Sequence, residues 1–319
     1  MLKRSYSWIL MVFLLASCAH HGMRAPAAST KPASNHSTQY PKVSAFSKVD
    51  VQGRFNVSLH TGYKQPQVIL RGDYRDLIQV KTVVMNNTLH LSLGKGFPHF
   101  GAVNAEIHTN SLTSVRYVGA GTITGPRLYT RWLDLYLTNP GTTRLDGTIG
   151  LRHLEVNGGG LVQINGVSSR SLEVHFTGTP KVQLNGFVNL TSLELDGGGW
   201  LSLYWIKSDR LVIKAKKRAK IQLAGKVNRL EVELWDKANF KGRYLRANRT
   251  FVKTHDKSVA EISSVKHQSS LATDASDIYY YNLPDTRADF MAFNGSVLDM
   301  REWSQHDYEE FTRYNKQFP

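Results

Sequence analysis

Cations and aromatic rings are the chemistry-bearing residues that stand out first. Lys214, Lys216, Lys217, Arg218 and Lys220 crowd one short stretch, and Trp200, Tyr204 and Trp205 stand just upstream. Cations beside flat rings suit an anionic sugar polymer or a lipid headgroup, through stacking plus charge-assisted hydrogen bonds to carboxylate, sulfate or phosphate. The plainer reading is a solvated basic turn beside a half-covered aromatic patch. Formal net charge is +15 over 319 residues, which favours anionic partners. No specific nucleic-acid reading module is recognisable. Polysaccharide, glycosaminoglycan and lipid phosphate are therefore the expected ligand classes.

Catalytic constellations are sparse. Asp236 and Asp256, each followed by lysine, are a carboxylate pair of the kind that glycoside cleavage uses. Their recurrence at one point of a repeat is also what a structural turn produces. The 12 histidines are scattered along the chain, and neither Gly-x-Ser-x-Gly nor His-Glu-x-x-His occurs. The expectation is a non-enzymatic binding module with no catalytic residue, cofactor or metal. A carbohydrate-active lyase or hydrolase remains the alternative.

These residues sit on a repeat. Leu154-Glu155-Val156 returns as Leu172-Glu173-Val174, Leu193-Glu194-Leu195, Leu211-Val212-Ile213 and Leu230-Glu231-Val232. A second phrase follows as Ile164-Asn165-Gly166, Leu184-Asn185-Gly186 and Leu223-Ala224-Gly225. Apolar and polar residues alternate, as in Val162-Gln163-Ile164, which is the period of a half-buried strand. Turn clusters such as Asn157-Gly158-Gly159-Gly160 separate the strands. A unit of about 20 residues built this way predicts an all-β parallel solenoid, or β-helix, of about ten coils.

Stacked coils turn equivalent residues into columns. Aligning the phrases predicts an acidic column of Asp134, Glu155, Glu173, Glu194 and Glu231, interrupted by Val212. Arg131, Arg152, Arg170, Arg210, Arg229 and Arg249 would neutralise it from the neighbouring corner. A calcium site is the other reading of the acids, but Asp-x-Asp calcium spacing is missing. An amide column of Gln163, Gln183, Ser202, Gln222 and Asn239 should hydrogen-bond along the stack.

The ends differ from the repeat. Lys3 and Arg4, an apolar run from Trp8 to Leu15 and small residues after it describe a secretory leader over residues 1–17. Leu15-Ala16-Ser17-Cys18 resembles the bacterial lipobox, which implies acylation of Cys18, the sole cysteine, and a membrane attachment through that lipid. Ala19 after it implies the outer membrane among such lipoproteins. Residues 18–44 read as the lipidated cysteine and a flexible Ser/Ala/Pro-rich tether. Residues 45–300 read as the solenoid, in which 46–95 supply an N-terminal cap, because an open strand edge invites aggregation. Within that cap, 74–85 is a short helix or a strand, and Asn86-Asn87 is a hairpin turn. The polar, aromatic tail 301–319 reads as a C-terminal cap.

Three features carry a family resemblance. They are Phe46 to Leu59, Arg71-Gly72-Asp73 through Leu77-Ile78 to Leu89-His90-Leu91, and the glycine-rich Val118-Gly119-Ala120-Gly121-Thr122. Over roughly residues 46–300 the chain resembles the auto-transporter adhesin, head GIN domain family of bacterial surface proteins. The resemblance implies a right-handed β-helix and a surface adhesion role in the cell envelope. A true autotransporter also needs a terminal membrane barrel of at least eight strands, and too few residues follow the repeats for one.

Overall fold

The structure, a computed structural model, describes residues 35–301. The leader, Cys18, most of the expected tether and the tail beyond Arg301 lie outside the described residues.

Strands dominate. The N-terminal part holds β1 (His36–Gln39), β2 (Lys48–Gln52), β3 (Phe55–His60), β4 (Gln67–Asp73), the single turn α1 (Tyr74–Leu77), β5 (Val80–Met85), β6 (Thr88–Leu93), β7 (Val103–His108) and β8 (Ser114–Val118). Eight long strands follow: β9 (Ile123–Thr138), β10 (Thr142–Gly158), β11 (Leu161–Gly178), β12 (Lys181–Gly197), β13 (Trp200–Lys217), β14 (Lys220–Leu234), β15 (Asn239–Thr254) and β16 (Val259–Thr273). β17 (Asp277–Tyr280), β18 (Arg287–Phe293) and β19 (Ser296–Asp299) finish the stack.

Each long strand is one coil. It pairs in parallel with the next at both of its ends, so it must wrap around a core. Burial shows where it bends. In β13, inward Leu201 and Leu203 are followed by two outward residues, Tyr204 and Trp205. Inward Ile206 and Ser208 are followed by outward Asp209 and Arg210, and then Leu211, Ile213 and Ala215 point inward. Three inward runs separated by adjacent outward residues make a three-sided coil. The first face follows the glycine-rich turn, the short second face follows Gly166 or its equivalents, and the third carries the Leu-Glu-Val phrases. The chain makes about nine such turns, close to the expected ten.

Identical facing builds the core. Val162, Val182, Leu201, Ile221, Phe240, Ala260 and Ile278 stack in register, all buried. At the first corner the backbone itself sets the residue type. Gly166 has φ +77°, and a Cβ there would lie 1.8 Å from the Gly147 carbonyl oxygen.

The N-terminal end is closed by antiparallel pairing. β2 and β3 lie parallel to β8 and β9, so half of the expected cap is in fact the first coil. β4 runs antiparallel to β7, β1 antiparallel to β4, and β5 forms a hairpin with β6 through Asn86 and Asn87, both at positive φ. Residues 74–85 divide into α1 and β5, so both alternatives occur. β1 falls within residues 18–44, so that stretch is not tether throughout: its own end is paired to the cap. At the other end Phe290, Met291, Phe293 and Leu298 are exposed on β18 and β19.

Two expected columns are corrected by the register. Glu155 stacks on His175, then Glu194, Lys214, Glu233 and Lys253. Asp134 stacks on His153, then Glu173, Ser192, Val212 and Glu231. Among the described residues no continuous acidic column exists, because from β9 to β13 the coils pair two residues off the phrase match, a slip that leaves inward and outward faces unchanged, and only β13 on β14 keeps Leu211 over Leu230. In the amide column Gln163, Gln183, Ser202 and Gln222 do stack, but the next member is Lys241, and Asn239 belongs beside Lys220.

Candidate functional site

The expected lysine and aromatic cluster is distributed around coil β13 and its neighbour. Trp200 opens the first face, stacked between Lys181 and Lys220. Tyr204 and Trp205 stand at the corner between first and second faces, both half-buried. Lys214 and Lys216 project from the third face, and Lys217 and Arg218 occupy the turn after it. All five cations are exposed, while Ile213, Ala215, Ala219 and Ile221 are buried.

Most of these cations have local work. Lys214 lies between Glu194 and Glu233 in its column. Lys216 sits beside Asp196, with its Nζ 5.0 Å from the ring centre of Trp235. Lys217 Nζ is 2.8 Å from Asp196 Oδ1, and this partner pulls the Asp196 carboxyl below its ordinary range. The structure thus brings Trp200 together with Lys220 and the third-face lysines with carboxylates, but it does not gather the eight residues on one surface.

Asp236 and Asp256 stack as the repeat implied, joined by Asp274, all at positive φ. Asp236 accepts a hydrogen bond from the Lys217 N–H at 2.9 Å, and Asp256 accepts one from the Asp236 N–H at 3.0 Å. These carboxylates hold the backbone of the preceding coil, which is the use a tight turn makes of aspartate.

A different surface collects cations. On the second face Lys207, Lys226 and Arg246 stack in register. At the next corner Arg210, Arg229, Arg249, His267 and Arg287 form a second column. Two carboxylates meet that column. Glu231 accepts from Arg210 Nε at 3.0 Å and from Arg229 Nε at 2.7 Å, and the Arg210 bond holds its carboxyl below the ordinary range. Asp289 is likewise lowered, chiefly by a hydrogen bond from His267. With the acidic column dissolved by register, fewer carboxylates face the arginines than the phrase alignment predicts.

Aromatic rings continue the same side of the molecule. Arg131, Arg152 and Arg170 line a groove of about 590 Å³ with Tyr129, Trp132 and serines 168, 169 and 171. Tyr129 is 73% exposed and Trp132 52%, far more than core-filling rings would be. Arg131 lies 5.8 Å from the Trp132 ring centre, and Arg152 Nε donates to Asp134 at 2.8 Å. Phe187, 66% exposed, lies 5.7 Å from the ring of Trp205, which joins that residue to this side. Trp132 and Phe187 were legible as aromatics but interrupted no charged run, so only the coil geometry marks them.

Histidines far apart in sequence also meet. His60 on β3 is the register partner of His108 on β7, and Glu106 lies two residues before His108 on the same outward face. Glu106 accepts from Arg71 Nη1 at 2.6 Å, and its other oxygen is 2.8 Å from His108 Nε2. The Arg71 bond is the main cause that holds the Glu106 carboxyl below its usual range. Their sequence signal is Ser58-x-His60 and Glu106-x-His108, a same-face spacing on a strand.

The sequence model of the family described as "Putative auto-transporter adhesin, head GIN domain" matches residues 45–199 and 181–284. Among solved structures, a putative adhesin from Parabacteroides merdae is 14% identical, with 84% of this chain and 97% of that chain covered and a TM-score of 0.47. A putative lipid binding protein from Parabacteroides distasonis is 15% identical over 84% of this chain and 97% of that one, at a TM-score of 0.44. A putative cell adhesion protein from Clostridium sporogenes is 12% identical over 59% and 97%, at 0.30. No curated protein matches the chain.

Proposed function

Because the chain belongs to the auto-transporter adhesin, head GIN domain family, we propose that it is a non-enzymatic binding module of the cell envelope that holds an anionic polysaccharide. The observation that carries this reading is the pair of stacked cation columns, Lys207–Lys226–Arg246 and Arg210–Arg229–Arg249, on the side that also exposes Tyr129, Trp132 and Phe187. Columns repeat at about 4.8 Å along the stack, so they present charge at regular intervals to a linear polymer. The β-stack fixes their spacing before binding, which keeps the ordering cost low. Rings beside the groove supply stacking surface for sugars. Cys18 is the proposed anchor, which would tie the module to the outer membrane through its lipid.

The lysine coil of Lys214, Lys216 and Lys217 is the competing surface, and the two can be separated. Binding of the chain to heparin, and to lipopolysaccharide vesicles as a lipid-headgroup probe, is measured across a salt series. Changing Lys207, Lys226 and Arg246 to Ser together should flatten the salt dependence, because it removes the attraction that salt screens over a Debye length of about 8 Å. Trp132→Ala should weaken binding at every salt concentration. Changing Lys214, Lys216 and Lys217 to Ser should do less, since each already faces a carboxylate or ring. If the second triple abolishes binding and the first leaves it intact, the ligand sits on the lysine coil. If vesicles are bound and heparin is not, the ligand is a headgroup rather than a glycan.

A further inference from the structure

We propose that His60, Glu106 and His108 form a binding site for a divalent transition metal ion, with Zn²⁺ the ion their donor set suits best. The site stands apart from the cation columns, on the first face near the N-terminal end of the stack.

Sheet geometry assembles it. In-register pairing of β3 with β7 sets His60 directly beside His108 and Ser58 beside Glu106. Leu59 and Ile107, between these residues, are buried, so both histidines and the glutamate emerge on the same side. One donor atom from each of the three lies within 4.8 Å of the others. Zinc takes imidazole nitrogen at about 2.0–2.1 Å and carboxylate oxygen at about 2.0–2.2 Å. Donors on one tetrahedral ion are therefore about 3.3 Å apart. The 2.8 Å between Glu106 Oε1 and His108 Nε2 must open slightly, and the wider separations must contract. Side-chain torsions can supply both changes without moving either strand.

The surroundings are those of a supported ligand set. Arg71 holds Glu106 through Oε2 alone, keeping the carboxylate ionised and leaving Oε1 directed toward the histidines. An ion-paired partner of this kind orients a ligating carboxylate from outside the coordination sphere. Tyr63 stacks on His108 with ring centres 4.2 Å apart and planes 21° apart, which fixes the imidazole plane. The Ser58 hydroxyl lies 2.9 Å from His60 Nε2. Two imidazoles and one carboxylate favour zinc over calcium or magnesium, which take oxygen donors. Three protein ligands leave a fourth position open to water or to a ligand group.

The competing interpretation is a metal-independent Arg71–Glu106–His108 network. Isothermal titration of the chelator-stripped, dialysed full chain with ZnCl₂ alone separates the two. One saturable site per chain is expected, with CaCl₂ giving no heat, and Zn²⁺ should raise the melting temperature. His60→Ala and Glu106→Gln should each weaken zinc binding at least tenfold. Both residues are half-exposed, and circular dichroism of the variants checks that the fold persists. Co²⁺ should give the intense visible bands of tetrahedral coordination in wild type and lose them in His60→Ala. No saturable zinc binding overturns the proposal. So does wild-type affinity in both variants, which would place the ion elsewhere.

Discussion

Two glycines with the same backbone sign but different surroundings allow the stacking geometry to be weighed directly. Gly166 (φ +77°) and Gly62 (φ +88°) both occupy the left-handed region. Alanine at either site meets a conformational cost of about 1–2 kcal/mol. Each also gains about 0.4–1 kcal/mol from a less flexible unfolded chain, so these two contributions nearly cancel in the comparison. Space separates them. Around Gly62 nothing lies within 4 Å of an added Cβ, whereas at Gly166 that atom would be 1.8 Å from the Gly147 carbonyl oxygen. Ordinary contact needs about 3.4 Å, so coils β10 and β11 must part locally by more than an ångström. That separation breaks ladder hydrogen bonds such as those flanking Asp146–Asn165, each worth about 1 kcal/mol net. Gly62→Ala should therefore cost about 1 kcal/mol or less, and Gly166→Ala about 3 kcal/mol more. Urea unfolding followed by circular dichroism reads the difference as a shift in midpoint. Equal midpoints for the two variants would refute the claim that close coil stacking imposes glycine at this corner.

Two further outcomes follow from the same geometry and from the leader. Val182 is fully buried in the inward column, whereas its neighbour Gln183 faces outward; Val182→Asp should cost several kcal/mol by burying an unpaired carboxylate, and Gln183→Asp less than 1 kcal/mol. A Val182→Asp melt within a degree or two of wild type would show the inward assignment to be wrong. Labelled palmitate should enter wild-type protein in growing cells and be lost in Cys18→Ala, and equal labelling of both would remove the lipid anchor.

How far the sequence reaches depends on which property the two-residue strand period protects. Facing is protected: Val182, Leu184, Leu201 and Leu203 recur with alternating partners, and all are buried. The solenoid and its core are legible for that reason. Contacts between coils are not protected in the same way, since β4, α1, β5 and β6 separate β3 from β7 in the chain and only the β3–β7 register brings His60 to His108. Register within the repeat is also unprotected, because a two-residue slip keeps every inward residue inward. Leu154 over Leu172 and Leu154 over Val174 are equally good for the core, and the phrase-by-phrase match selects the wrong one. The outward residues decide between them. The phrase match stacks Glu155, Glu173 and Glu194, whereas the observed register sets His175 beside Glu194 and Lys214 between Glu194 and Glu233. Opposite charges facing across neighbouring strands contribute roughly 0.2–1 kcal/mol each, and like charges subtract a similar amount. Facing Glu194 with Lys214, Lys214 with Glu233 and Glu233 with Lys253, and keeping Glu173 off both Glu155 and Glu194, together amounts to about 1–5 kcal/mol, a sizeable share of a domain stability of about 5–15 kcal/mol. The same register decides how many carboxylates reach the arginines at the second corner. Glu194 and Glu233, which alternate with lysines on the third face, are not spent on the corner, where among the described residues Glu231 alone is shared between Arg210 and Arg229 and the column of Arg210, Arg229 and Arg249 keeps an excess of cations.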